Sequence, residues 1–163
     1  MKLVYVALGS NIGNSPQHLF TGIRMLEIAA LGEIKCSSFW NSEPVDMVDP
    51  FWFTNAVVQF TTDLAPADLL KTLQGIEKKS GRPEDHLKNS SRTLDLDIIS
   101  YGNCILDNEA LKIPHPKARQ RLFVLLPLQE LAPKFRFPGD KTNISDLIKM
   151  APKVKMEKLN YSL

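Results

Sequence analysis

The chain has 163 residues, enough for one domain around a single core, and its 44% hydrophobic and 23% charged content is ordinary for a soluble globular protein. A net charge of +2 is too small to make nucleic acid the main partner, although it leaves room for a local basic patch facing an anionic small molecule. No apolar run approaches the roughly 20 residues of a membrane span, the first residues lack a secretory signal pattern, and Cys36 and Cys104 stand in no metal-ligand spacing; a cytoplasmic protein with reduced thiols is expected.

In chain order, "KLVYVALGS" predicts a first strand ending at Gly9. "SPQHLFTGIRMLEIAAL" predicts a helix with Ser15 as N-cap, Pro16 at its start, Leu19, Ile23, Leu26 and Ala30 on its inner face, and Gly32 at its stop. "EIKCSSFWN" reads as a second strand and the proline- and acid-rich "SEPVDMVDP" as a long loop. "FWFTNAVVQFTTD" follows as a third strand, rich in β-branched and aromatic residues. "APADLLKTLQGIEKKSG" predicts a second helix with Leu69, Leu70, Leu73 and Ile76 inward. "RPEDHLKNSS" has no apolar period and reads as a mobile loop, and "RTLDLDIISYG" as a fourth strand. The order βαββαβ is that of a ferredoxin-like α+β fold: an antiparallel sheet with helices on one face. Beyond it, "IPHPKARQRLFVLLPLQELAP" reads as a turn and a helix broken at Pro127, "NISDLIKMAP" as a further helix, and "VKMEKLNYSL" as a short strand or tail. The whole chain, 1–163, is expected to form one domain.

The fourth strand raises the chemical question. Period 2 puts Leu94, Leu96 and Ile98 on one face and Asp95, Asp97 and Ile99 on the other, with the two acidic Cα atoms about 6–7 Å apart. Like charges that close repel by roughly 1 kcal/mol in water and more when desolvated, so a positive group belongs between them. Three readings are open: a solvated face, a dehalogenase-type phosphatase, in which a Thr usually stands where Ile99 does, and a pair of Mg²⁺ ligands for a polyphosphate. Arg82, Arg92, His115, Lys117, Arg119 and Arg121 supply cations in the flanking segments, and Pro114 and Pro116 hold His115. Phe53 and Asn55 share a strand face, which suits stacking and edge hydrogen bonds to a flat heterocycle, with Phe123 as a possible second slab. "ALGSNIGN" is neither a dinucleotide fingerprint nor a P-loop, and its distance from the acids excludes a polymerase-β-type nucleotidyltransferase.

Taken together, "ALGSNIGN", "SSFWNSEPV", "FTNAVV", "LLKTLQGIEKKSGR", "RTLDLDIISYG" and "IPHPKARQRLFVLLPLQELAP" resemble the 6-hydroxymethyl-7,8-dihydropterin pyrophosphokinases of folate biosynthesis along nearly the whole chain. The resemblance implies transfer of pyrophosphate from ATP to the pterin hydroxymethyl group, with release of AMP. It implies that Asp95 and Asp97 hold two Mg²⁺ ions, and that Ser42, Val45, Phe53, Asn55 and Phe123 bind the pterin. Gln74, Glu77, Ile98, His115 and Arg121 would then bind ATP, with Arg82 and Arg92 closing over the phosphates. The family commonly shows R-W-G-P-R ahead of the D-x-D strand; Lys88, Asn89, Ser90, Ser91 and Arg92 stand here, so the loop Trp is absent, and Glu84 replaces a frequent Arg. ATP and the pterin are the expected partners of a monomer, without nucleic acid or membrane. The competing reading from another class is a non-catalytic ferredoxin-like module binding RNA or a small regulator; two acids on the matching strand would repel phosphates unless metal is present.

Overall fold

A computed structural model describes residues 1–45, 51–81 and 92–160. Strand β1 (Lys2–Ser10) leads into helix α1 (Ser15–Met25), which tightens into a 3₁₀ turn at Leu26–Ile28. The N-cap is Asn14, not Ser15: the Asn14 side chain accepts from the Gln17 N–H, while Ser15 is the first helical residue and is buried. The helix and its 3₁₀ turn end short of Gly32, expected at the stop; Gly32, at φ +84°, lies in the chain beyond them. The predicted second strand is two short ones, β2 (Lys35–Cys36) and β3 (Trp40–Ser42), because the Ser37 side chain intervenes. Its hydroxyl accepts the Val57 N–H and donates to the Ser38 carbonyl, replacing regular ladder bonds. Part of the predicted long loop, 46–50, lies outside the described residues, as does all of the predicted mobile loop at 82–91.

β4 (Phe53–Thr62) and α2 (Pro66–Lys79) follow, then β5 (Asp95–Tyr101), a hairpin of β6 (Leu106–Asp107) and β7 (Lys112–Ile113) that the sequence did not announce, α3 (Leu122–Leu131), α4 (Ile144–Met150) and β8 (Met156–Lys158). The main sheet runs β5-β1-β4-β3-β8, wholly antiparallel, with β2 also against β4. Its first four members are the ferredoxin-like set; β8 adds a strand outside β3.

The helices cover both faces rather than one. Leu19 and Ile23 of α1 and Leu69, Leu73 and Ile76 of α2 pack on Val4, Val6, Leu8, Leu96 and Ile98. On the other face α3 and α4 bring Val124, Leu125, Leu128, Ile144 and Leu147 onto Tyr5, Val57 and Ile99. Each fully buried Leu or Phe contributes about 2–3 kcal/mol, so either layer alone is a substantial core. The same packing explains why Pro127 does not break α3: its missing N–H and ring clash cost about 3 kcal/mol, less than Val124, Leu125 and Leu128 return by burial on one continuous helix.

One irregularity matters for the site. Val6 pairs with Ile98 but Tyr5 with Ser100, so Ile99 is an extra residue bulged out of the β1–β5 ladder. Ile99 and Ser100 therefore both lie on the α3 side, and Tyr101 returns to the α1–α2 core, where its hydroxyl donates to the Leu64 carbonyl at 2.6 Å.

Candidate active site

Pairing register builds the site. Directly opposed residues in antiparallel strands share a face, and Asp95, Gly9, Asn55 and Trp40 form one row across β5, β1, β4 and β3. The next row is Asp97, Ala7 and Val57. The two acids thus stand at one side of the α3-facing surface and the Phe53–Asn55 pair at the other, with only Gly9 and Ala7 between. A Cβ on Gly9 would lie 3.5 Å from Asn55 Oδ1 and 3.5 Å from the Phe53 ring, so the absent side chain keeps this floor open. Over it lies a cavity of about 510 Å³, walled by Phe123, Arg121, Gln120 and Lys117 from α3 and the turn before it, by Ser42 at the end of β3 with Glu43 and Val45 after it, and by Pro152 and Val154 before β8.

At the acidic end, Arg92 Nη1 donates to Asp95 Oδ2 at 3.1 Å, both side chains about four-fifths buried (17% and 21% exposed). The Arg92 backbone is fastened to the end of β1: its N–H donates to Asn11 Oδ1 at 2.7 Å and its carbonyl accepts from the Asn11 N–H at 3.1 Å. Burial, and then the charge of Asp95, push the Asp97 carboxyl up to about 7; Glu77 adds to this, and Arg121 and Arg92 oppose it. Asp97 is thus a hard oxygen donor short of positive charge. Among the described residues no three His, Cys, Asp or Glu side chains converge, so these two carboxylates are what the described residues offer a cation here. That set fits Mg²⁺, which keeps several waters and takes substrate phosphates as further ligands.

His115 is held by the bulge. The Ile99 carbonyl, released from the ladder, accepts the His115 N–H at 3.0 Å. The Lys117 N–H donates to His115 Nδ1 at 3.2 Å, so that nitrogen is an acceptor and the ring proton sits on Nε2. Burial first, then Arg121 and Lys117, lower its pKa to about 4, so the ring is neutral at pH 7. At the opposite end, Asn55 Nδ2 donates to Ser42 Oγ at 2.7 Å and to the Trp40 carbonyl at 3.4 Å, leaving Oδ1 beside the Gly9 floor. The Arg121 guanidinium lies over the Phe123 ring, 5.5 Å from its centroid.

Of the residues singled out from the sequence, Ser42, Val45, Phe53, Asn55, Arg92, Asp95, Asp97, Arg121 and Phe123 line this cavity. His115 is not among the lining residues; it follows β7, and its N–H is bonded to the Ile99 carbonyl of β5. Gln74 is exposed on α2, and Glu77, 8% exposed, accepts the Leu96 N–H at 3.1 Å along the outer edge of β5. The Ile98 side chain is in the α1–α2 core, and the cavity wall takes Ile99 instead. Arg82 lies outside the described residues, with Glu84, Lys88, Asn89, Ser90 and Ser91. Sequence reasoning missed the Gly9–Ala7 floor and the contributions of Gln120, Pro152 and Val154. The small residues of "ALGSNIGN" were the available signal; nothing in "MAPKV" pointed to a cavity.

A family profile described as 7,8-dihydro-6-hydroxymethylpterin-pyrophosphokinase (HPPK) matches residues 5–133. The 2-amino-4-hydroxy-6-hydroxymethyldihydropteridine pyrophosphokinase of Haemophilus influenzae is 38% identical over 161 residues, covering 98% of this chain and 99% of that one. Its Pseudomonas aeruginosa namesake is 39% identical over 160 residues, covering 98% of each. A crystal structure of wild-type Plasmodium falciparum HPPK-DHPS superposes with a TM-score of 0.68 at 16% identity, over 92% of this chain; the likeness is one of fold, and this chain spans only 43% of that longer one. None of these comparisons favours a non-catalytic RNA-binding module. No helix among the described residues is long and apolar enough to cross a membrane.

Proposed function

The chain belongs to the 7,8-dihydro-6-hydroxymethylpterin-pyrophosphokinase family, and from that premise we propose that it transfers the β,γ-pyrophosphoryl group of ATP to the hydroxymethyl group of 6-hydroxymethyl-7,8-dihydropterin, releasing AMP, as a step of folate biosynthesis. The observation that carries the reading is the division of one cavity into an aromatic–amide end and a carboxylate–guanidinium end, across a floor of Gly9 and Ala7. The first end suits a flat heterocycle: Phe53 and Phe123 for its faces, and Asn55 Oδ1 as an acceptor for an N–H on its edge. The second suits a triphosphate.

The transfer itself is in-line attack of the hydroxymethyl oxygen on the β-phosphorus, with the bond to the α-phosphate's bridging oxygen breaking, and it asks of the protein mostly position and charge. Asp95 and Asp97 would hold two Mg²⁺ ions, which when bound supply electrostatic neutralisation of the phosphate oxygens. Arg121 and Arg92 offer guanidinium donors to the same oxygens, Arg92 having N–H groups beyond the one on Asp95. His115 offers a neutral donor at Nε2, fixed by the Ile99 carbonyl and the Lys117 N–H. Gln74, Glu77 and the backbone at Ile98 lie along β5 and α2, on the nucleotide's side in this reading, and Arg82 is assigned to the phosphates with them. We take the protein to act as a cytoplasmic monomer of one domain.

The test is AMP release from ATP, measured with and without Mg²⁺ and with and without the pterin. Release that needs all three components is the expected result. Release that ignores the pterin, or a protein that binds neither ligand in separate titrations, sinks the proposal.

A further inference from the structure

Glu130 occupies the last turn of α3, the end of a helix where the backbone dipole disfavours a carboxylate. It is nonetheless fully employed. Oε1 accepts the Trp40 Nε1–H at 2.7 Å, and Oε2 accepts the Ser38 N–H at 3.0 Å. These bonds tie the far end of α3, whose first turn carries Phe123, to the chain entering β3. The Lys158 ammonium lies over the Trp40 ring at 5.6 Å and braces it from β8. Trp40 stands directly opposite Asn55, and its carbonyl and the Ser42 hydroxyl, both on β3, are acceptors for Asn55 Nδ2. The direction of the Asn55 amide, nitrogen toward β3 and oxygen toward the cavity, therefore depends on where β3 is held.

We propose that Glu130 is a positioning residue for substrate recognition: through Trp40 and Ser38 it holds β3 so that Asn55 presents Oδ1 to the heterocycle while Phe123 keeps its place across the cavity. The inference rests on the reading of this cavity as the pterin site, but the tether is a property of the free protein. It also gives Trp40 a purpose beyond packing, since only an indole N–H, and not a phenyl ring, can reach the carboxylate.

Two conservative variants separate positioning from mere support. Glu130→Gln keeps the shape but replaces one acceptor by a donor; Trp40→Phe keeps the ring and removes the donor. Each should raise the KM for the pterin about tenfold, the usual consequence of losing one charge-assisted hydrogen bond, with the KM for ATP unchanged. The double variant should be worse than either single one by less than the product of the two effects, because Trp40 shares one of the two bonds that Glu130 makes. In ligand-free protein the Asn55 side-chain amide resonances should shift in both variants. Unshifted resonances overturn the tether whatever the kinetics show. Parallel rises in both KM values with a lower Tm make Glu130 a structural residue only and overturn the proposal as well. A wild-type protein that does not turn over the pterin overturns the functional reading, and the resonances then decide the tether by themselves.

Discussion

Asp97 is half-buried beside Asp95, and desolvation, the Asp95 charge and, less, that of Glu77 push its carboxyl up to about 7. A carboxyl whose folded pKa lies above its unfolded value of 3.8 favours the fold most in acid and loses that contribution as pH rises from about 4 to 7. Asp97→Asn should therefore match or exceed the wild-type Tm in metal-free protein at pH 8, while turnover falls 10²-fold or more, the order expected for losing a ligand to charge-neutralising metal. Thermal melts at pH 5 and pH 8 beside an AMP-release assay check both halves; a variant active at saturating Mg²⁺ would remove Asp97 from the metal set. His115 runs the other way. Its pKa falls from 6.5 to about 4, so the unfolded chain binds the proton more readily, and the stability His115 contributes above pH 6.5 is lost as pH falls to 4. Replacing it with Asn should flatten the decline of Tm between pH 6.5 and 4 relative to wild type, and the wild-type rate profile should show no limb near 6.5 from this residue.

At the scale of elements, the site depends on how closely α1 approaches β5. Gly22 lies buried in α1, and a Cβ there would come within 2.8 Å of Leu94 Cδ2, with Leu8 behind it. Leu94 is fully buried and immediately precedes Asp95, so it has little room to yield. Gly22→Val should cost about 1–3 kcal/mol as overpacking, read as a lower denaturation midpoint at unchanged m-value, and a wild-type midpoint would mean that Leu94 repacks freely. The strands and helices themselves were largely legible, because β1, β4, α1 and α2 each show a clean period in their apolar residues. The exceptions have local causes. Ser37 offers the backbone side-chain hydrogen bonds that compete with a ladder, and a run predicted as one strand becomes β2 and β3. Pro127 was read as a break because propensity speaks for one residue, whereas burial of its neighbours acts on the whole helix.

At the scale of the molecule, the cavity exists because α3 and α4 return to the face of the sheet that α1 and α2 leave open, bringing Phe123 over Phe53 and Asn55. Truncating Phe123 to Ala should weaken pterin binding by about 1–3 kcal/mol and leave ATP binding nearly unchanged, since only the aromatic end of the cavity loses a wall. Separate titrations of the two ligands decide this, and equal losses for both would mark Phe123 as a core residue.

What the sequence determined by itself was the chemistry and its alternation: two acids on one face of a strand, an amide beside an aromatic on another, and cations in the flanking turns. These are local properties, set by the identity of side chains and the two-residue period of a strand. Tertiary structure alone decided which of them meet. The antiparallel register put Asp95 in the row of Gly9 and Asn55, and so gave the small residues of "ALGSNIGN" their purpose. The bulge at Ile99 freed the carbonyl that holds His115, because a ladder defect depends on two strands and is written in neither. Burial raised Asp97 and lowered His115, because desolvation is a property of the surrounding protein and has no counterpart in a residue's neighbours along the chain.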